Sequence, residues 1–241
     1  MTGMLASVTS VAEAAIVLDA DVDIIDIKNP HEGALGALEI KAVKEIVQMN
    51  NGEILTSATI GDIKPNDPKL LDYIVDMAKT GVDYVKVGLF DHQPSDYFIK
   101  TITNAANKGI KLVIVVFAEN YQGKESISPL LQSGIVGIML DTKEKKGKNL
   151  CAILNNHELQ DFVKTAKEFN LLSGLAGSLR FEDIQLLLVL NSDYLGFRGA
   201  LCSGNDRVKI INGEQVKKIR DVIPHSKYIN YDNREYKEVS V

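Results

Sequence analysis

Two lysines hold matching places in this chain. Lys28 lies in Ile24-Ile25-Asp26-Ile27-Lys28-Asn29-Pro30 and Lys86 in Tyr84-Val85-Lys86-Val87-Gly88, each inside or ending a short apolar run that reads as a buried strand. Burying an ammonium without a partner is expensive, so a lysine in such a place does amine chemistry or holds an anion. An unprotonated lysine attacks an aldehyde or ketone, and the resulting iminium is an electron sink for carbanion chemistry. Strand residues alternate faces, so Asp26 and Lys28 share one side with Ile24, while Tyr84, Lys86 and Gly88 share a side of their own strand. Gly88 is expected to leave space above Lys86. A neighbouring cation favours the free amine and a carboxylate opposes it, which leaves open which lysine is uncharged. The plain alternative for either is a structural Lys-Asp pair.

Further chemistry-bearing residues fall at later strand ends. Asp141 closes Gly137-Ile138-Met139-Leu140-Asp141-Thr142, a place from which a carboxylate can shuttle protons, and the loop beyond it carries Lys143, Lys145, Lys146 and Lys148. A solvated loop is the simple reading of these four, although one reaching inward would suit an anionic substrate. Gly174-Leu175-Ala176-Gly177-Ser178 and Gly196-Phe197-Arg198-Gly199-Ala200, followed by Ser203-Gly204-Asn205-Asp206-Arg207, resemble a phosphate cradle. Glycines let backbone N–H groups approach an oxyanion, and Arg198 could add a bidentate contact. His31, His92, His157 and His225 show no metal-binding spacing, and a metal centre is not indicated. His31 and His92 follow strands and could touch substrate, while Cys202 reads as a small buried hydrophobe. No nucleophile elbow, Walker loop or kinase signature occurs.

These residues need a scaffold that brings strand ends together. Apolar runs rich in Val, Ile and Leu recur at 4–8, 24–27, 54–60, 84–90, 112–118, 137–141, 172–176 and 194–198. Helical patterns fill the intervals at 11–18, 40–49, 69–80, 97–108, 128–133, 158–170, 181–190 and 213–222. Eight such units at this length predict an α/β fold, the (β/α)8 TIM barrel, whose active site lies at the C-terminal ends of the strands and often holds phosphate after strands seven and eight. No GxGxxG follows the first strand, which disfavours the doubly wound competitor. The expected organisation is one barrel domain over 1–223 and a charged, tyrosine-bearing extension over 224–241.

With 241 residues, 45% hydrophobic and 24% charged, the chain can build one large core. A net charge of −5 and no basic block interleaved with aromatics argue against nucleic acid. No apolar run approaches a membrane span and the first residues lack a signal-peptide pattern. Cys151 and Cys202 are far apart, without CxxC spacing, so a cytoplasmic, reducing compartment is expected.

Six blocks together resemble the (5-formylfuran-3-yl)methyl phosphate synthase family of methanofuran biosynthesis. They are Asp26-Ile27-Lys28-Asn29-Pro30 with Glu32-Gly33-Ala34-Leu35-Gly36; Ser57-Ala58-Thr59-Ile60-Gly61-Asp62; Asp83-Tyr84-Val85-Lys86-Val87-Gly88-Leu89; Met139-Leu140-Asp141-Thr142; Leu175-Ala176-Gly177-Ser178; and Arg198-Gly199-Ala200-Leu201-Cys202. The resemblance runs from the first strand to about residue 222. It implies a class I aldolase-like barrel and a lyase that condenses two molecules of glyceraldehyde 3-phosphate to (5-formylfuran-3-yl)methyl phosphate, with loss of phosphate and water. Within it Lys28 matches the Schiff-base lysine, Lys86 the proton-accepting lysine, Asp26 and Asp141 acidic residues of the same pocket, and Lys145 a further lysine of the loop after strand six. Gly177, Ser178, Arg198 and Gly199 fall in the loops expected to hold phosphate. The expectation is therefore a cofactor-free, metal-free enzyme whose partner is a small triose phosphate, neither nucleic acid nor membrane, and which assembles as a homo-oligomer. The rival readings are a class I aldolase acting on another phosphorylated aldehyde and a non-catalytic phosphosugar-binding barrel.

Overall fold

Eight parallel strands close on themselves in chain order: β1 (Gly3–Val8), β2 (Ile24–Ile27), β3 (Leu55–Thr59), β4 (Tyr84–Leu89), β5 (Leu112–Phe117), β6 (Gly137–Asp141), β7 (Leu172–Leu175) and β8 (Tyr194–Phe197), with β8 paired back onto β1. The computed structural model describes residues 2–144 and 147–224; the predicted extension, from residue 225 onward, and Lys145 lie outside them. The (β/α)8 barrel predicted from the recurring apolar runs is the fold observed.

Helices α1 (Val11–Asp19), α2 (Ile40–Asn50), α3 (Leu70–Ala78), α4 (Asp96–Asn107), α7 (Asn156–Glu168) and α9 (Gly213–Arg220) supply most of the outer layer. Their starts are written locally: Ser10, Ser95, Asn155 and Asn212 each accept backbone N–H groups of the first turn. Three intervals differ from the sequence pattern. The helix expected over 128–133 is a short α5 (Lys124–Ile127) continued by a 3-10 turn, Ser128–Leu130. Pro129 lacks an N–H, so it begins a new turn more readily than it extends one. Between β6 and α7 a one-turn helix, α6 (Leu150–Ile153), is added, and after β7 a 3-10 turn, Phe181–Asp183, leads into α8 (Ile184–Leu188).

Alternation along the strands divides the apolar residues into two cores. Ile25, Ile27, Val85, Val87, Ile114, Val116, Ile138 and Leu140 point outward against helical residues such as Val43, Ile46, Phe98 and Phe162. Leu5, Ile24, Tyr84, Val113, Leu172 and Tyr194 point inward and fill the lower barrel. Tyr194 takes the room left by Gly174, where a Cβ would come within 2.4 Å of its ring. At the bottom rim, Asp23, Asp83 and Asp193, each just ahead of a strand, accept the backbone N–H of Met4, Thr56 and Ser173 on the preceding strand. Those bonds pin the register on which the upper barrel depends.

Candidate active site

The parallel register sets Ser7 of β1, Asp26 of β2 and Ser57 of β3 side by side. All three face inward. The Ser7 hydroxyl donates to Oδ2 of Asp26 at 2.8 Å, and the Ser57 hydroxyl donates to Oδ1 at 2.7 Å. Lys86, one strand further, donates from Nζ to the same Oδ1 at 2.9 Å. Lys28 Nζ stands 3.8 Å from Oδ2. Asp26 is fully buried. Burial alone would raise its carboxyl, but the Lys86 and Lys28 charges and the hydrogen bonds of Lys86 and Ser57 hold it below the ordinary carboxylate value. The carboxylate is therefore a fixed negative post between two amines.

Lys28 leaves β2 with its backbone N–H bonded to Val8 and its side chain turned inward, 7% exposed. Its Nζ lies 4.0 Å from Oδ2 of Asp141, whose other oxygen accepts the N–H of Thr142 at 2.7 Å. The structure thus brings Asp26, Lys28, Lys86 and Asp141 into one well, as the strand-end positions suggested.

That well is a cavity of about 480 Å³, within the range of roughly 300–1,000 Å³ of small-molecule sites. It is one-sided. Among the described residues β1, β2, β4, β6, β8, α6 and the loops after β6, β7 and β8 line it, and none comes from β3 or β5. The opposite side is closed by hydrocarbon: Phe90 and Phe117 stack at 4.8 Å between centroids, with Leu35 in the same cluster. This corrects one expectation. Gly88 leaves no open space above Lys86, because a Cβ there would lie 2.6 Å from the Phe90 ring and 2.8 Å from Leu35. The glycine admits the hydrophobic plug.

Gly177, Ser178 and Gly199 border the cavity with Ala200. Among the described residues, no protein acceptor takes the N–H groups of these four. Gly177 is at φ 113°, and a Cβ there would sit 2.7 Å from Thr142 Cγ2 and 2.9 Å from its backbone nitrogen, so the β7 loop can press against the end of β6 only with glycine.

Arg198 departs from the bidentate phosphate contact suggested by sequence. Its guanidinium donates from Nη1 to Glu13 Oε2 and to Ser7 O, from Nη2 to Glu13 Oε1 and Lys209 O, and from Nε to Arg207 O. Five donors meet five acceptors, leaving none for a ligand. Glu13 is 3% exposed on α1. Burial would raise its carboxyl, yet the hydrogen bond and charge of Arg198, with Thr9, hold it below its ordinary value. The pair fastens the β8 loop to the start of the barrel.

A family model for 4-HFC-P synthase matches residues 4–220. The chain belongs to the 4-HFC-P synthase family. The (5-formylfuran-3-yl)methyl phosphate synthase of Methanosarcina mazei is 36% identical over 229 residues, covering 90% of this chain and 97% of that one. The synthase of the same name from Methanocaldococcus jannaschii is 33% identical over 232 residues, covering 91% and 98%. Membership in this family of methanofuran biosynthesis makes the chain an enzyme, a synthase. In fold it is similar to 3-keto-L-gulonate-6-phosphate decarboxylase of Vibrio cholerae, with a TM-score of 0.62 at 14% identity over 91% of this chain and 97% of that one. It is likewise similar to a 3-hexulose-6-phosphate synthase, with a TM-score of 0.61 at 15% identity over 92% and 100%.

Other 4-HFC-P synthase residues take plainer places. His31 and His92 are exposed and do not line the cavity. Cys202 is buried, and burial pushes its thiol up to about 11. Among the described residues no cluster of three metal-ligating side chains occurs, and no helix is long and apolar enough to cross a membrane. Arg207, part of the loop read from the sequence as a phosphate cradle but not singled out within it, lines the cavity with Lys148 and Arg180.

Proposed function

We propose that this synthase condenses two glyceraldehyde 3-phosphate molecules to (5-formylfuran-3-yl)methyl phosphate through an imine on Lys28, with loss of phosphate and water. The observation that carries this reading is the arrangement of Lys28 and Lys86 around one buried carboxylate at the open end of the barrel. Lys28, at the end of β2 between Asp26 and Asp141, is assigned the imine, and Lys86, hydrogen-bonded to Asp26 at 2.9 Å, is assigned proton transfer. Asp141 takes the proton Lys28 must shed. The Lys86 ammonium gives its proton to the carbinolamine hydroxyl as water leaves. The amine thus freed accepts a proton from the carbon beside the iminium, giving the enamine that attacks the second aldehyde. Gly177, Ser178 and Gly199 are assigned to a substrate phosphate through their N–H groups, and Lys145 is assigned to the same chemistry from the loop after β6.

Borohydride reduction in the presence of glyceraldehyde 3-phosphate, followed by peptide mass analysis, tests the assignment. The adduct is expected on Lys28, with furan absorbance and free phosphate rising together in the unreduced reaction. An adduct on another lysine overturns the role of Lys28. Furan-free turnover without phosphate release points instead to an ordinary aldolase.

A further inference from the structure

Resting on that reading, we infer that Arg207 is a substrate-binding residue, a guanidinium arm held across the mouth of the cavity that recognises a phosphate ester of the substrate and so sets specificity for phosphorylated trioses. Arg207 lines the same cavity as Lys28, Lys86 and Asp141. Among the described residues one of its five N–H donors is taken, Nη2 donating to Gly33 O at 2.9 Å. The contrast with Arg198 is complete, since that guanidinium spends every donor inside the protein.

Both ends of the arm are fixed in advance. Arg198 Nε holds the backbone carbonyl of Arg207 at 2.8 Å and Nη2 holds Lys209 O at 2.9 Å, so the root of the arm is tied to the buried Glu13 pair. The tip rests on Gly33, whose loop is held by Asp62: Oδ2 accepts the N–H of Ala34 and Oδ1 that of Leu35. Gly33 has φ 108°, and a Cβ would fall 2.0 Å from Asp62 Oδ2, so this turn is specific to glycine. The arm thus bridges the β8 and β2 loops beside Lys28. Burial depresses the guanidinium from its ordinary value while the charges of Asp141 and Asp62 oppose the shift, and an arginine stays cationic regardless.

Charge supplies the second reason. Among the described residues the cavity is lined by six basic side chains, Lys28, Lys86, Lys148, Arg180, Arg198 and Arg207, against two acidic ones, Asp26 and Asp141, on a chain of net charge −5. Within that set Arg198 is neutralised by Glu13, and Lys28 and Lys86 face the carboxylates. Arg207 is the partly buried guanidinium whose planar fork suits a phosphate.

The test compares wild type, Arg207→Ala and Arg207→Lys with two substrates, glyceraldehyde 3-phosphate and unphosphorylated glyceraldehyde, reading the half-saturating concentration for borohydride trapping. With the phosphorylated aldehyde, Arg207→Ala should raise it about 10- to 100-fold, the worth of charge-assisted hydrogen bonds. Arg207→Lys should recover part of this as a point charge without a fork. With plain glyceraldehyde the three proteins should match. An equal loss with both substrates, or no loss with either, overturns the inference. If wild type traps neither aldehyde, the synthase reading fails, and binding of inorganic phosphate by calorimetry decides for the arm alone: weaker binding by Arg207→Ala supports it, and equal binding overturns it.

Discussion

Lys28 and Lys86 share one carboxylate unequally. Lys86 is seated on Oδ1 of Asp26 at 2.9 Å, whereas Lys28 stands 3.8 Å from Oδ2 and 4.0 Å from Asp141. In the proposed reaction these two residues of the same type take different parts.

Lys86→Met removes the proposed proton carrier while leaving the neighbouring amine. Turnover should fall by about 10²–10⁴-fold, the usual worth of a positioned acid or base, and borohydride trapping on Lys28 should slow with it, since the same ammonium protonates the departing hydroxyl. Trapping at the wild-type rate would show that water leaves the carbinolamine without Lys86.

Asp26→Asn keeps the shape and removes the charge between two buried ammonium groups. Breaking such a cluster from one side costs about 3–5 kcal/mol, to be read as a lower urea midpoint at pH 7. An unchanged midpoint would mean that Ser7 and Ser57, not the charge, anchor this part of the barrel.

Acid should destabilise the protein through Asp26 and Glu13. Both are held below their ordinary values of 3.8 and 4.5, so each contributes stability that is present above its unfolded value and lost as pH falls through its lower folded value. The urea midpoint should decline below pH 4.5 on their account, and Glu13→Gln should show a shallower decline from a lower start. A variant that keeps the wild-type acid slope would remove Glu13 from this explanation.

Gly177→Ala should destabilise by about 1–3 kcal/mol, the cost of a side chain in a left-handed backbone region pressed on its neighbours. The Cβ would meet the backbone nitrogen of Thr142 at 2.9 Å, and backbone yields little. Chemical denaturation measures it, and a wild-type midpoint would show that the β7 loop can shift.

The barrel and its four inner charged residues were legible because strands alternate: once Asp26 and Lys28 lie on one face of an apolar run, a closed barrel turns them inward. The family resemblance named the same residues independently. Glu13 was not legible. It stands three places after Ser10, the spacing of a capping box, and reads as an ordinary helix-start acid; its partner is 185 residues away. Arg198 was misjudged for the same reason, since a phosphate fork and an internal fork look alike until the acceptor is located. The α6 turn was missed because four residues give too short a period to detect.

The Phe90 and Phe117 plug bounds the well on one side and leaves its charged lining to the other. A substrate wider than this well would have to dislodge Phe90 and Phe117. Trimming Phe90 is therefore the direct route to a barrel of broader diet, with the reactive amines left untouched.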